Sequence, residues 1–203
     1  MGADKVIPFP GRKALERGNR PLGELGDDEL MLLARGGVDE AFDVLVRRHQ
    51  AGVLKVAAKL LGRVDTARDA AQRTFFEVYR YLMQYQARGK FRQFLYQVLM
   101  NQCRMVGREA QKDRKLRDRL SAEPGEAGDL PDEAILARER RRELELLLGR
   151  LSKKLRVVLV LRFAGDLSYQ EIGEILELPV GTVKSRLFSG LEKLRKLMKG
   201  KSG

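Results

Sequence analysis

The 203-residue chain predicts an all-α protein: two small helical domains joined by a flexible linker, the C-terminal one containing a helix-turn-helix. Three observations carry that expectation. Apolar residues recur at three- and four-residue intervals over most of the chain, and no segment alternates with the period of a strand. Between Ser121 and Glu133 the periodicity stops, and Pro124, Gly125, Gly128 and Pro131 stand among five acidic residues with no basic one. After that break the helical pattern resumes, divided by turn signals into short helices.

Residues 1–26 hold Pro8, Pro10, Pro21 and five glycines without an apolar period, and read as a flexible basic tail. Asp27-Asp28-Glu29 then suits the positive end of a helix dipole and leads into Leu30, Leu33 and Ala34, before Gly36-Gly37 stops the helix. A long helix follows, with Phe42, Leu45, Val46, His49, Val53, Ala57 and Leu60 on one face and its end at Gly62. The next is expected from about Asp65 to Tyr85, with Ala67, Ala70, Ala71, Thr74, Phe75, Val78 and Leu82 inward. Tyr85 to Lys90 is a short loop with one glycine and two cations. A fourth helix carries Phe91, Phe94, Leu95, Val98, Leu99 and Val106, and turns strongly charged beyond Arg108. Residues 27–118 thus form an N-terminal helical bundle, 119–133 an acidic linker that lets the halves move independently, and 134–203 a second domain. In that domain Leu144, Leu147 and Leu148 form one stripe, and Leu155, Val158, Leu159 and Phe163 the next.

Leu167 to Leu187 reads as two short helices around a tight turn. Ser168 with Glu171 three positions on is a capping box. Ile172, Ile175 and Leu176 make one apolar stripe, and Pro179, with no amide hydrogen to lose, fits the opening of the second helix. Val183, Leu187 and Leu191 are its expected inward stripe. Thr182, Lys184, Ser185 and Arg186 are left on its leading outward face. Short hydrogen-bonding and cationic side chains there suit entry into a DNA major groove. An ordinary αα-hairpin with a solvated cationic face is the alternative. Against it stands the continuation of the helix: Val180 to Gly203 holds seven Lys/Arg and one acidic residue.

The formal net charge of +12 favours a polyanionic partner, with nucleic acid first. A membrane-surface protein fits less well, because the positive charge is spread over several helices. No apolar run is long enough to cross a bilayer, and no signal-peptide segment opens the chain, so a cytoplasmic protein without membrane insertion is expected. A single cysteine, Cys103, rules out an internal disulfide framework, and with apolar neighbours it reads as a buried thiol. The only histidine, His49, falls on an apolar stripe and reads as a packing residue. No metal cluster, phosphate-binding glycine loop or nucleophile paired to a base is visible, so neither a cofactor nor an enzyme activity is expected.

Ser168-Tyr-Gln-Glu-Ile-Gly-Glu-Ile-Leu176, Pro179-Val-Gly-Thr-Val-Lys-Ser-Arg-Leu187 and, upstream, Val158-Leu-Val-Leu-Arg-Phe163 resemble the fourth conserved region of bacterial RNA polymerase sigma factors of the extracytoplasmic-function (ECF) group. Gly36-Gly37-Val38-Asp39-Glu40-Ala41-Phe42, Asp69-Ala-Ala-Gln72 with Phe75, and Phe91-Arg-Gln-Phe-Leu-Tyr96 with Asn101 resemble the second region. The resemblance implies a promoter-reading subunit of core RNA polymerase, with promoter DNA and an anti-sigma factor as further partners. Carried over by position, Thr182, Lys184, Ser185 and Arg186 would read the minus-35 element. Arg88, Gly89 and Lys90 would capture an unstacked minus-10 base, with Asn101, Arg104 and Arg108 facing the same DNA. Asp65, Asp69 and Gln72 would face the polymerase. A helix-turn-helix regulator that acts without core polymerase is the alternative. Two departures stand out. Arg68 and Arg73 flank the acidic stripe and would bring like charge to the polymerase, unless they pair on their own helix. Glu177 occupies the usual glycine of the turn, where a left-handed backbone would cost on the order of 1 kcal/mol.

Overall fold

The computed structural model describes residues 20–117 and 143–199, and among them it is all-helical. The acidic linker 119–133 and the greater part of the N-terminal tail lie outside the described residues. In the N-terminal half, α1 spans Asp27–Arg35, α2 Asp39–Leu61, α3 Val64–Arg80 and α4 Phe91–Arg117. The C-terminal half begins, within the described residues, with α5 over 143–149, followed by α6 at Lys153–Phe163, α7 at Tyr169–Leu176 and α8 at Val180–Lys199.

The glycine stops act as expected: Gly37 and Gly62 end α1 and α2 with φ of 89° and 72°, a left-handed turn that costs glycine no Cβ clash. α2, α3 and α4 pack on one another and α1 lies across α2. Leu30, Met31, Leu45, Val53, Val56, Val78, Leu95 and Leu99 are fully buried between them.

Three expectations about elements need correction. The third helix ends at Arg80, and Leu82–Gln84 form a 3-10 turn. Leu82 and Tyr85 are buried all the same, continuing the apolar interval of Val78, so periodicity alone does not register the change of backbone. Residues 20–26 are not a free tail. Leu22–Glu24 form a 3-10 turn, Leu22 and Leu25 pack on the core, and Arg48 Nη2 donates to the Gly23 and Leu25 carbonyls at 3.0 Å each. Finally, Leu144, Phe163 and Leu191 face solvent at 43%, 61% and 42% exposure, where inward stripes were expected. Leu151, Leu161 and Gly190 take the inward places.

The two halves also pack against each other. α6 lies on α2 and α7 on α4. Arg92, in the first turn of α4, donates through Nη2 to the carbonyls of Gly165 (2.7 Å) and Asp166 (2.9 Å), which connect α6 to α7, and its Nη1 lies 3.8 Å from Glu171. Lys90 reaches Glu174 at 3.4 Å, and Lys59 reaches Glu145 at 3.6 Å. Gly165 is built for this seam: a Cβ there would lie 3.3 Å from the Val56 side chain and 2.8 Å from the Leu161 carbonyl. Buried apolar residues of both halves meet in one continuous core cluster.

Candidate nucleic-acid interface

The helix-turn-helix is fixed by its own sequence. The Glu171 amide donates to Ser168 Oγ at 3.2 Å and the Ser168 amide to Glu171 Oε2 at 2.7 Å, so the capping box closes in both directions. Glu177 takes the left-handed conformation, φ 54° and ψ 48°, and the Leu178 amide returns to the Gly173 carbonyl at 2.8 Å. Gly173 permits that return, since a Cβ would sit 2.8 Å from the Leu178 carbonyl oxygen. Pro179 precedes α8, and its carbonyl accepts from the amides of Thr182 at 2.8 Å and Val183 at 3.1 Å. Val183, Leu187 and Gly190 face inward at intervals of four and three.

The opposite face of α8 presents the expected residues. Lys184 and Ser185 are exposed, and Thr182 and Arg186 half-buried. Ser185 Oγ donates to the Thr182 carbonyl at 3.0 Å, turning that hydroxyl back on its own helix. Lys184 Nζ and Arg162 Cζ lie 5.9 and 5.5 Å from the Tyr169 ring centroid, so one aromatic ring serves two cations.

The second cationic element is the segment 85–90. Tyr85 and Ala87 point inward and are buried, while Gln86, Arg88, Gly89 and Lys90 face out. The Tyr85 ring meets Phe91 and Phe94 at centroid distances of 6.1 and 5.6 Å. Its hydroxyl donates to the Asp28 carboxylate, as does the Gly89 amide, and Arg35 Nη1 donates to the Tyr85 carbonyl at 3.1 Å. Burial, then the Asp28 hydrogen bond and charge, push the Tyr85 hydroxyl far above its usual pKa, so it stays a donor. Arg88 donates to Gln86 Oε1.

Along α4, Asn101, Arg104 and Arg108 are exposed at intervals of three and four, hence on one face. Arg104 Nη1 donates to Asn101 Oδ1 at 3.0 Å. Arg104 and Arg108 also line an open cleft of about 410 Å³ together with Arg63, Lys153 and Arg156, cations from both halves of the chain. Cys103, at the same cleft, is buried, which pushes its thiol up to about 12.

On α3, Asp65 and Gln72 are exposed and Asp69 half-buried. Arg73 pairs on its own helix with Asp69 at 2.7 Å, and it also reaches Glu109 of α4 at 2.9 Å. Of the two expectations for Arg73, this is the pairing on its own helix, with a second carboxylate added from α4. His49 is a packing and hydrogen-bonding residue: Nε2 lies 2.8 Å from Asp27 Oδ2, and the ring is tilted on Phe91 with centroids 5.4 Å apart.

Sequence reasoning did not find Asp28, Arg92 or Glu174 as structural partners of the loop and its surroundings. An acid in a first helical turn and a cation after a loop both read as ordinary solvated charges, and only the tertiary contacts distinguish them.

The family model for Sigma-70 region 2 matches residues 45–112, and that for Sigma-70, region 4 matches residues 141–194. The ECF RNA polymerase sigma factor SigW of Bacillus subtilis is 31% identical over 171 residues, spanning 80% of this chain and 91% of SigW. The RNA polymerase sigma-H factor of Pseudomonas aeruginosa is 30% identical over 183 residues, 85% of this chain and 93% of that protein. A solved structure of CnrH in complex with the cytosolic domain of CnrY shares the fold, with a TM-score of 0.67 at 23% identity, covering 86% of this chain and 97% of that one. With both regions matched in this order and a relative aligned over nearly its whole length, the chain belongs to the ECF group of RNA polymerase sigma factors.

Proposed function

We propose that the two cationic elements divide the promoter between them, with residues 134–203 reading the minus-35 element as duplex and residues 27–118 reading the minus-10 element while docking on core RNA polymerase. Duplex is read in the major groove, and the leading part of α8 supplies exposed Lys184 and Ser185 with half-buried Thr182 and Arg186 for it. A separated strand needs cations and a backbone that a base can approach closely, and Arg88, Gly89 and Lys90 supply both. Asn101, Arg104 and Arg108 continue that surface along α4. The stripe of exposed Asp65 and Gln72 with half-buried Asp69 is the polymerase-facing surface. The observation that carries the reading is the presence of two outward cationic elements on separate helical units, one a preformed recognition helix and the other a pinned loop.

In this role the protein is an initiation subunit, and the chemistry of RNA synthesis belongs to the core enzyme. No described helix is long and apolar enough to cross a membrane, and the protein is proposed to act in the cytoplasm beside the polymerase. One structure that shares the fold is the sigma factor RpoE in complex with the anti-sigma factor NepR from Bartonella quintana, and an anti-sigma factor is the proposed regulator here as well.

The test is transcription by sigma-free core polymerase supplemented with the purified protein on a library of promoter fragments. Start-site-specific transcripts are expected. Duplex binding without transcripts would instead identify a regulator that acts without core polymerase. On a minus-35 fragment, Arg186→Ala costs on the order of 1–3 kcal/mol if the guanidinium makes a bidentate base contact. Wild-type affinity in that variant removes the assignment of α8.

A further inference from the structure

Asp28 lies in the first turn of α1, where an acidic side chain ordinarily complements the helix dipole and nothing more. Here both carboxylate oxygens are engaged by a segment 57 and 61 residues further along the chain. Oδ1 accepts from the Tyr85 hydroxyl and Oδ2 from the Gly89 backbone amide. These two bonds bracket residues 86–88. The other end of the same helix contributes a third, from Arg35 to the Tyr85 carbonyl.

Gly89 is exposed and has no side chain to pack. Its φ is +70°, and nothing lies within 4 Å of where a Cβ would stand. Glycine in that state has wide conformational freedom, so a bond to its amide is what selects one backbone shape. Tyr85 is held differently, by burial between Phe91 and Phe94. Asp28 joins the anchored residue to the free one.

We propose that Asp28 is the positioning residue of the minus-10 loop: by holding Tyr85 and Gly89 together it presets the backbone of 85–90 that receives an unstacked base, and thereby sets the discrimination among bases at that position. Presetting a binding loop removes an ordering cost that every base would otherwise share, and leaves the fit to the preset shape to separate them. The proposal rests on the reading of 85–90 as the base-receiving loop, and the test separates the two.

The informative variant is Asp28→Ala/Tyr85→Phe, which removes both polar partners together and so leaves no buried hydroxyl without an acceptor. Tyr85→Phe alone keeps Asp28 on the Gly89 amide. In the free full-length protein, amide hydrogen exchange at Gly89 is expected to quicken on the order of tenfold in the double variant and to change little in Tyr85→Phe. With core polymerase bound, single-stranded minus-10 oligonucleotides carrying each of the four bases at the unstacked position are then compared. The double variant should lose its preference among the four, while core affinity and minus-35 duplex affinity stay at wild-type level. Unchanged Gly89 exchange in the double variant overturns the tether, and unchanged base preference with faster exchange overturns its role in discrimination. Arg88→Ala/Lys90→Ala serves as the control for the underlying reading. If that variant binds all four oligonucleotides as wild type does, the loop assignment fails, and the Asp28 proposal fails with it for a distinguishable reason.

Discussion

The helix-turn-helix turn and the loop 85–90 both hold an irregular backbone in a fixed shape beside cationic side chains, but they recruit their partners at very different distances. Around the turn, Ser168, Glu171, Gly173, Glu177 and Leu178 satisfy one another within a span of eleven residues. The loop is held by Asp28 and Arg35 of α1, from which α2, α3 and a 3-10 turn separate it in the chain. A locally determined turn forms whenever its two helices form, whereas a remotely tethered loop exists only once the bundle has closed. The recognition helix is therefore the sturdier device and the loop the more adjustable one.

Breaking the local side of that contrast should have the largest effect. Gly173→Ala places a Cβ 2.8 Å from the Leu178 carbonyl oxygen, a backbone atom that cannot turn aside. Overpacking of this kind costs about 1–3 kcal/mol. Thermal unfolding of the full chain should show it, together with loss of minus-35 duplex binding. A variant with wild-type stability shows that the turn can relax.

Arg92→Ala tests the long-range side at the seam. It removes two hydrogen bonds from a charged donor to backbone carbonyls. Such bonds contribute about 1.5–3 kcal/mol at best, and with the side chain 38% exposed the loss should be nearer 1 kcal/mol. Small-angle scattering should report a larger radius of gyration as the halves part, with little change in helix content. An unchanged radius assigns the seam to its apolar contacts.

Glu177→Gly sharpens the comparison from the opposite direction. A non-glycine residue at φ 54° carries about 1 kcal/mol of strain, so the variant should gain up to that amount. The added freedom of glycine in the unfolded chain offsets part of the gain. A measured loss of stability would mean that the Glu177 side chain contributes more than its backbone conformation costs.

The smallest effect concerns the anchoring of α1 itself. Burial alone raises the Asp27 carboxyl pKa, but hydrogen bonds and charge from His49 and Arg48 outweigh it and hold the group below its usual 3.8. The folded state then binds fewer protons than the unfolded one. Its contribution is present above pH 3.8 and is lost as pH falls through the lowered folded value. Asp27→Asn should therefore lower stability at about pH 5, with the gap to wild type closing under more acid conditions. A gap independent of pH removes this assignment.

How much of the molecule was legible follows from the same contrast. The capping box, the glycine stops and the left-handed site at Glu177 are local chemistry, and each stands where the residues indicated. Stripe assignments drifted where they advanced in steps of four. From Val183 to Leu187 to Leu191 each step overshoots the helical repeat, so the third residue rotates out to solvent. The true third position is Gly190, which no scan for apolar side chains can find. The Asp28 tether and the Arg92 seam were invisible for a different reason: both use charged residues whose local settings already explain them.

Gly190 has a further effect on how promoter preference can change. A Cβ there would stand 2.8 Å from Leu159 Cδ1 and 3.7 Å from the Leu155 Cβ, so α8 lies as close to α6 as its backbone allows. A helix seated this closely meets a side chain on α6 as soon as position 190 gains a Cβ, which disfavours re-seating it. Under the proposed reading of α8, new specificity in a descendant of this protein comes from exchanging the side chains at 182, 184, 185 and 186 and not from re-seating the helix.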